Sequence, residues 1–144
     1  MTDLKLIALD AEDLDVISAT TQDAIVRTAE MGYAKADKRF ALLMNRFAWE
    51  DGEQGASKTG IRKRAALHFD HVTGVKAAGF DPAAPEGTLE LLTIRFVETA
   101  APSGQVDLAF AGGGAVRLEV DVLEARLADL GAAWAAKAKP AHVL

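Results

Sequence analysis

Between Ile25 and Val122 the apolar residues recur at every second position, while both ends of the chain carry the wider spacing of helices. Leu4 to Leu9 reads as a short strand with apolar residues on both parities, which predicts burial on two faces. Asp10 suits a helix N-cap, and Glu12 and Asp13 fall in the first turn, where the helix dipole favours acids. Leu14, Ile17, Thr21 and Ala24 continue one stripe, so an amphipathic helix is predicted over 11–24. Ile25 to Ala29 opens the period-two region, and a turn follows near Gly32 to Lys38. Phe40, Leu42 and Met44 share one face and Leu43, Phe47 and Trp49 the other, the pattern of a central strand. The polar, glycine-bearing stretch 51–60 can bury little and reads as a loop.

Ala65, Leu67 and Phe69 alternate with polar neighbours, and Val72 and Val75 extend that run past a bulge or bend near Gly74. Leu92, Ile94 and Phe96 form the next row, between loops marked by Pro82, Pro85, Pro102 and Gly104. Val106, Leu108 and Phe110 are followed by Val116, Leu118, Val120 and Val122, and Gly112-Gly113-Gly114 between them predicts a tight hairpin that needs positive φ. Leu123, Leu127, Leu130 and Trp134 recur at i, i+4, i+7 and i+11, predicting a C-terminal helix that Pro140 stops. There is no internal repeat. Helices at the ends of an unbroken run of strands imply an α+β fold. We expect a predominantly antiparallel sheet of six to seven strands with an N-terminal and a C-terminal helix, shaped like a pleckstrin-homology barrel, in a single domain spanning 1–144.

The 144 residues suffice for one core without covalent staples. Half the residues are hydrophobic and 26% are charged, which excludes a disordered chain. Cysteine is absent, so disulfides, thiol catalysis and cysteine-bound metal are excluded. The net charge of −5 argues against a nucleic-acid partner and against a polybasic membrane anchor. No stretch is long and apolar enough to span a membrane, and Met1-Thr2-Asp3-Leu4 lacks the basic start of a signal peptide, so a cytoplasmic protein is expected. Charge is nevertheless uneven: residues 1–31 hold seven acids and two bases, 32–80 nine bases and five acids, and 81–144 five bases and nine acids. The basic middle is either a local anion-attracting patch or a segment neutralised by its acidic flanks on folding.

Few residues suggest chemistry. Gly112 to Gly114 lead into a strand and not into a helix N-terminus, which fits a turn and not a phosphate cradle. In His68-Phe69-Asp70-His71 a regular strand puts His68 and Asp70 on one face and His71 on the other; a third metal ligand would have to come from elsewhere, such as Glu90, and neither a metal nor any other cofactor is expected. Arg62-Lys63-Arg64 is a basic cluster, and Arg46, Arg95 and Arg117 stand at polar parities of other strands. Were they to converge, Arg46, Arg64, His68 and Arg95 would form a ligand-binding face for an anionic metabolite, with His68 as acid or base. The competing reading interleaves these bases with Glu90, Glu119 and Asp121 in cross-strand pairs. Trp49 and Trp134 sit on apolar stripes and read as packing residues, and Ser18, Ser57 and Ser103 lack a nucleophile context.

Phe110 to Val120, with Leu123-Glu124-Ala125-Arg126-Leu127 and Asp129-Leu130-Gly131, and Leu43 to Glu50 upstream, resemble a family of bacterial proteins known as domain of unknown function 2948. The likeness runs from Leu4 to His142; a cysteine near Val122 and a proline near Ala132 belong to that family pattern and are missing here. The resemblance implies a small one-domain cytoplasmic protein and brings no activity or ligand with it. Two functional expectations follow. The first is a non-catalytic interaction or assembly domain, binding a protein partner or a second copy of itself through sheet edges. The second is a binder of, or enzyme acting on, an anionic small metabolite.

Overall fold

A computed structural model describes residues 3–48, 62–84 and 86–131, and within them the chain forms ten strands and one α-helix. The strands are β1 (Lys5–Ala8), β2 (Ile25–Arg27), β3 (Met31–Ala34), β4 (Arg39–Phe47) and β5 (Arg62–Phe69), then β6 (Val72–Ala78), β7 (Thr88–Glu98), β8 (Gly104–Phe110), β9 (Ala115–Val120) and β10 (Ala125–Asp129). The helix α1 is Ala11–Thr20. All pairings are antiparallel, in the order β1-β10-β5-β4-β2-β7-β8-β9-β6, with β3 beside β2 on the same edge of β4.

This is the expected α+β architecture with an antiparallel sheet, but the sheet is open where a closed barrel was expected, and it has ten strands instead of six or seven. Three differences account for the count. The turn expected at Gly32 to Lys38 contains β3, a short strand that hairpins back onto β4 through a 3-10 turn and Lys38 at φ 52. The run from Ala65 to Val75 is two strands, because the chain turns a corner at Asp70 and His71, the latter at φ 60; the bulge expected near Gly74 is present as a register shift between Val72 and Gly74. Finally, Ala125–Asp129 is a strand where a helix was expected, with Ala125, Leu127 and Asp129 buried and Arg126 exposed. Leu123 and Leu127 satisfy a four-residue and a two-residue period equally well, and the slot between β1 and β5 decides for the strand. Trp49, the 51–60 stretch, Trp134 and the remainder of the expected C-terminal helix lie outside the described residues.

Both halves of the sheet turn their apolar rows toward one core. Phe40, Leu42 and Met44 of β4 meet Leu67 and Phe69 of β5 and Leu127 of β10, while Ile94, Val106, Leu108, Leu118 and Val120 face them from the other half. Each fully buried Leu, Ile or Phe contributes roughly 1.5–3 kcal/mol of transfer free energy. Gly112 and Gly113 at φ 88 and 95 make the β8–β9 hairpin turn, as the glycine run predicts.

The helix is shorter than predicted, ending at Thr20, and buries Leu14, Ile17 and Ser18. Asp10 caps it by accepting the Asp13 N–H at 2.8 Å. Along β7 the Ile94 N–H is taken by the Ser18 hydroxyl oxygen at 2.9 Å, and the Leu91 N–H by the Ala24 carbonyl at 2.9 Å. Thus α1 and the segment after it occupy the edge of β7 that β8 leaves free, and the same helix packs on β1. The expected two-sided burial of β1 is corrected: it is a terminal strand, with Ile7 at 46% and Leu9 at 58% exposure.

Candidate functional site

The four bases expected to share a ligand-binding face do not converge: Arg64 and His68 share a face of β5, and Arg46 and Arg95 stand elsewhere. Arg46 follows the row of Phe40, Leu42 and Met44 into the interior, correcting its assignment to a polar parity. There Nε donates to Asp129 Oδ1 at 2.8 Å and Nη2 to Asp129 Oδ2 at 2.7 Å, with both side chains essentially fully buried. A bidentate guanidinium–carboxylate pair is the geometry that makes such burial tolerable. Asp129 Oδ2 also accepts the Leu4 N–H at 2.9 Å, so one carboxylate ties β4 and β10 to the start of β1. This is a structural latch.

Arg64 projects from the opposite face of β5, where it pairs with Glu30 of the 3-10 turn after β2. His68, four residues on, shares that face; its Nε2 is buried, lacks a hydrogen-bond partner and lies 3.5 Å from Asp70 Oδ2. Burial, then the Arg39 charge, lower its pKa, against the opposing pull of Asp70. Asp70 is itself engaged by Arg39 Nε at 2.7 Å. Arg95, on β7, reaches Asp15 of α1 at 3.3 Å. Only Arg64 and His68 therefore share a strand face, and each of the three arginines faces its own carboxylate. Arg62 donates to the Asp23 and Asn45 carbonyls and stacks over Phe47 at 3.9 Å, and Arg117 pairs with Asp107 at 2.7 Å.

The His68-Phe69-Asp70-His71 run also splits. His71 turns at the corner and its Nε2 meets Glu124 Oε1 at 2.9 Å, away from the Asp70–Arg39 pair. Hydrogen bonds from His71 and then Arg126 lower the Glu124 pKa. No group of three His, Asp or Glu side chains arranged to hold a metal occurs among the described residues.

The strand-by-strand reading missed two further features. A groove of about 430 Å³ opens where the first turn of α1 meets the end of β7 and the β9–β10 connection. Leu9, Phe96, Val122 and Leu123 make its apolar floor, beside Pro102, and Asp10, Glu12 and Glu98 its rim. Leu9 and Val122 are 58% and 37% exposed, so this floor is open to a partner. Leading into it is β1, which among the described residues pairs with β10 alone. The Asp129 N–H bond to the Leu4 carbonyl sets the alternation of that ladder, turning the backbone groups of Lys5 and Ile7 away from β10. The paired exposure of Ile7 and Leu9 was present in the sequence, but their apolar character read as burial.

No helix among the described residues is long and apolar enough to cross a membrane. The chain matches a family model described as Protein of unknown function (DUF2948) over residues 4–142. No curated protein and no solved structure gives a significant match.

Proposed function

Since the chain belongs to the DUF2948 family, whose description assigns no activity, we propose from its geometry that it is a non-catalytic interaction domain. In this reading it works in the bacterial cytoplasm and engages a protein partner, or a second copy of itself, by adding a strand to β1. The observation that carries the reading is the edge of β1, unpaired among the described residues, with Lys5 and Ile7 backbone groups directed outward and Ile7 46% exposed. An anion-binding reading finds less support, because Arg64, Arg95 and Arg46 already face Glu30, Asp15 and Asp129.

The test is Ile7→Pro. Proline on an edge strand, with its nitrogen facing solvent, leaves the β1–β10 ladder intact but removes the donor an added strand needs. Wild-type chain should self-associate in light scattering or retain a partner in affinity capture, and Ile7→Pro should lose that association at an unchanged melting temperature. A wild-type chain that stays monomeric and captures nothing, or a variant that associates equally well, refutes the proposal.

A further inference from the structure

The groove at the α1 N-terminus carries carboxylates that form no ion pair among the described residues. Glu12 and Glu98 form no ion pair among the described residues, whereas Asp15, one turn along the same helix, holds Arg95. No lysine or arginine lines the groove among the described residues. The partial positive charge of the helix start is already met by Asp10, Glu12 and Asp13, so no anion is called for there. Beneath this acidic rim the exposed surfaces of Leu9 and Val122 gain roughly 25 cal/mol for each Å² that a partner covers.

From this pairing of an apolar floor with an acidic rim that meets no cation among the described residues, we infer that the groove docks a polypeptide segment in which a large apolar side chain is flanked by lysine or arginine. The apolar side chain covers Leu9, Phe96 and Val122, and the flanking cations face Glu12 and Glu98. Nucleic acid and anionic lipid surfaces carry the wrong charge for this rim. A volume of about 430 Å³ lies in the range of sites that take a few anchoring groups and not a whole folded surface. Leu9 directly follows β1, so a partner strand added to that edge would carry its neighbouring residues toward the groove. The inference rests on the interaction reading for the nature of the occupant and on a separate set of residues for its chemistry.

Fluorescence anisotropy with a short labelled peptide of alternating leucine and lysine, and its glutamate counterpart, tests it on the full chain. The lysine peptide should bind and the glutamate peptide should not. Glu12→Gln/Glu98→Gln, at exposed positions that leave the fold intact, should weaken binding about tenfold, the value of two modest surface charge contacts. Leu9→Ser should weaken it further, and Glu12→Lys/Glu98→Lys should reverse the preference between the peptides. Equal binding of both peptides, no binding of either, or an unchanged affinity in the glutamine variant overturns the inference. Ile7→Pro separates the two proposals: it should leave peptide affinity at the wild-type level, so failed strand addition with peptide binding retained removes the edge reading and not the groove.

Discussion

Removing one half of the Arg46–Asp129 pair should be the most damaging polar substitution in the described part of the chain. Asp129→Leu deletes both oxygens that hold the guanidinium at 2.7 and 2.8 Å, together with the acceptor of the Leu4 N–H. It leaves the Arg46 charge at 0% exposure without its carboxylate. Breaking a buried ion pair by removing one partner costs about 3–5 kcal/mol, against a total stability on the order of 5–15 kcal/mol. At a urea slope of about 2 kcal/mol/M, a loss of about 4 kcal/mol lowers the midpoint by about 2 M. Arg46→Met should cost less, because Asp129 keeps the Leu4 N–H. In Arg46→Met/Asp129→Leu both charges are gone, and the Leu4 N–H and the Phe47 carbonyl, which accepts from Arg46 Nη1 at 3.0 Å, lose neutral hydrogen bonds, a smaller penalty of about 1–3 kcal/mol. The double variant should therefore recover most of the loss and give a coupling of about 2 kcal/mol or more in the cycle. Urea titrations followed by circular dichroism measure all four proteins. A cost below about 1 kcal/mol for Asp129→Leu, or strictly additive single costs, refutes the buried latch.

Acid should destabilise the protein in two steps. His68 has a folded pKa below its ordinary 6.5, so the unfolded chain takes up that proton first, and the urea midpoint should fall as pH drops below 6.5 through the folded pKa. Glu124, held below its ordinary 4.5, contributes stability that is present above that value and lost as pH falls through its folded pKa; His68→Gln should remove the first decline and leave the second. At the β5–β6 corner, His71→Gly should be more stable than His71→Ala by about 1 kcal/mol in thermal melts, since both lose the bond to Glu124 and only glycine is at ease at φ 60.

The alternating rows of β4, β5, β8 and β9 were legible because each apolar side chain there is buried for the reason the pattern assumes. Arg46 was misread for the same reason. It continues the buried row of β4, but a charge at the end of an apolar row is ordinarily turned to water, and its partner lies 83 positions away. Asp129 concealed β10 in a similar way: a carboxylate at an inward strand position breaks the two-residue pattern, leaving Leu123, Leu127 and Leu130 to suggest a helix. The candidate site was less legible still. Sequence parity places Arg64 and His68 on one face, as found, but it carries no information about Glu30 or Asp15, which topology brings to Arg64 and Arg95. The groove depends on three segments that meet only after folding.

Amide chemical-shift mapping by nuclear magnetic resonance, with the leucine–lysine peptide titrated into the full chain, puts the interaction account to its most direct test. The account predicts shifts confined to Leu9, the first turn of α1, the Phe96–Glu98 end of β7 and Val122, with Arg64, His68 and Arg95 unmoved. Shifts centred on Arg64 and His68, or an unperturbed spectrum at saturating peptide, would contradict it.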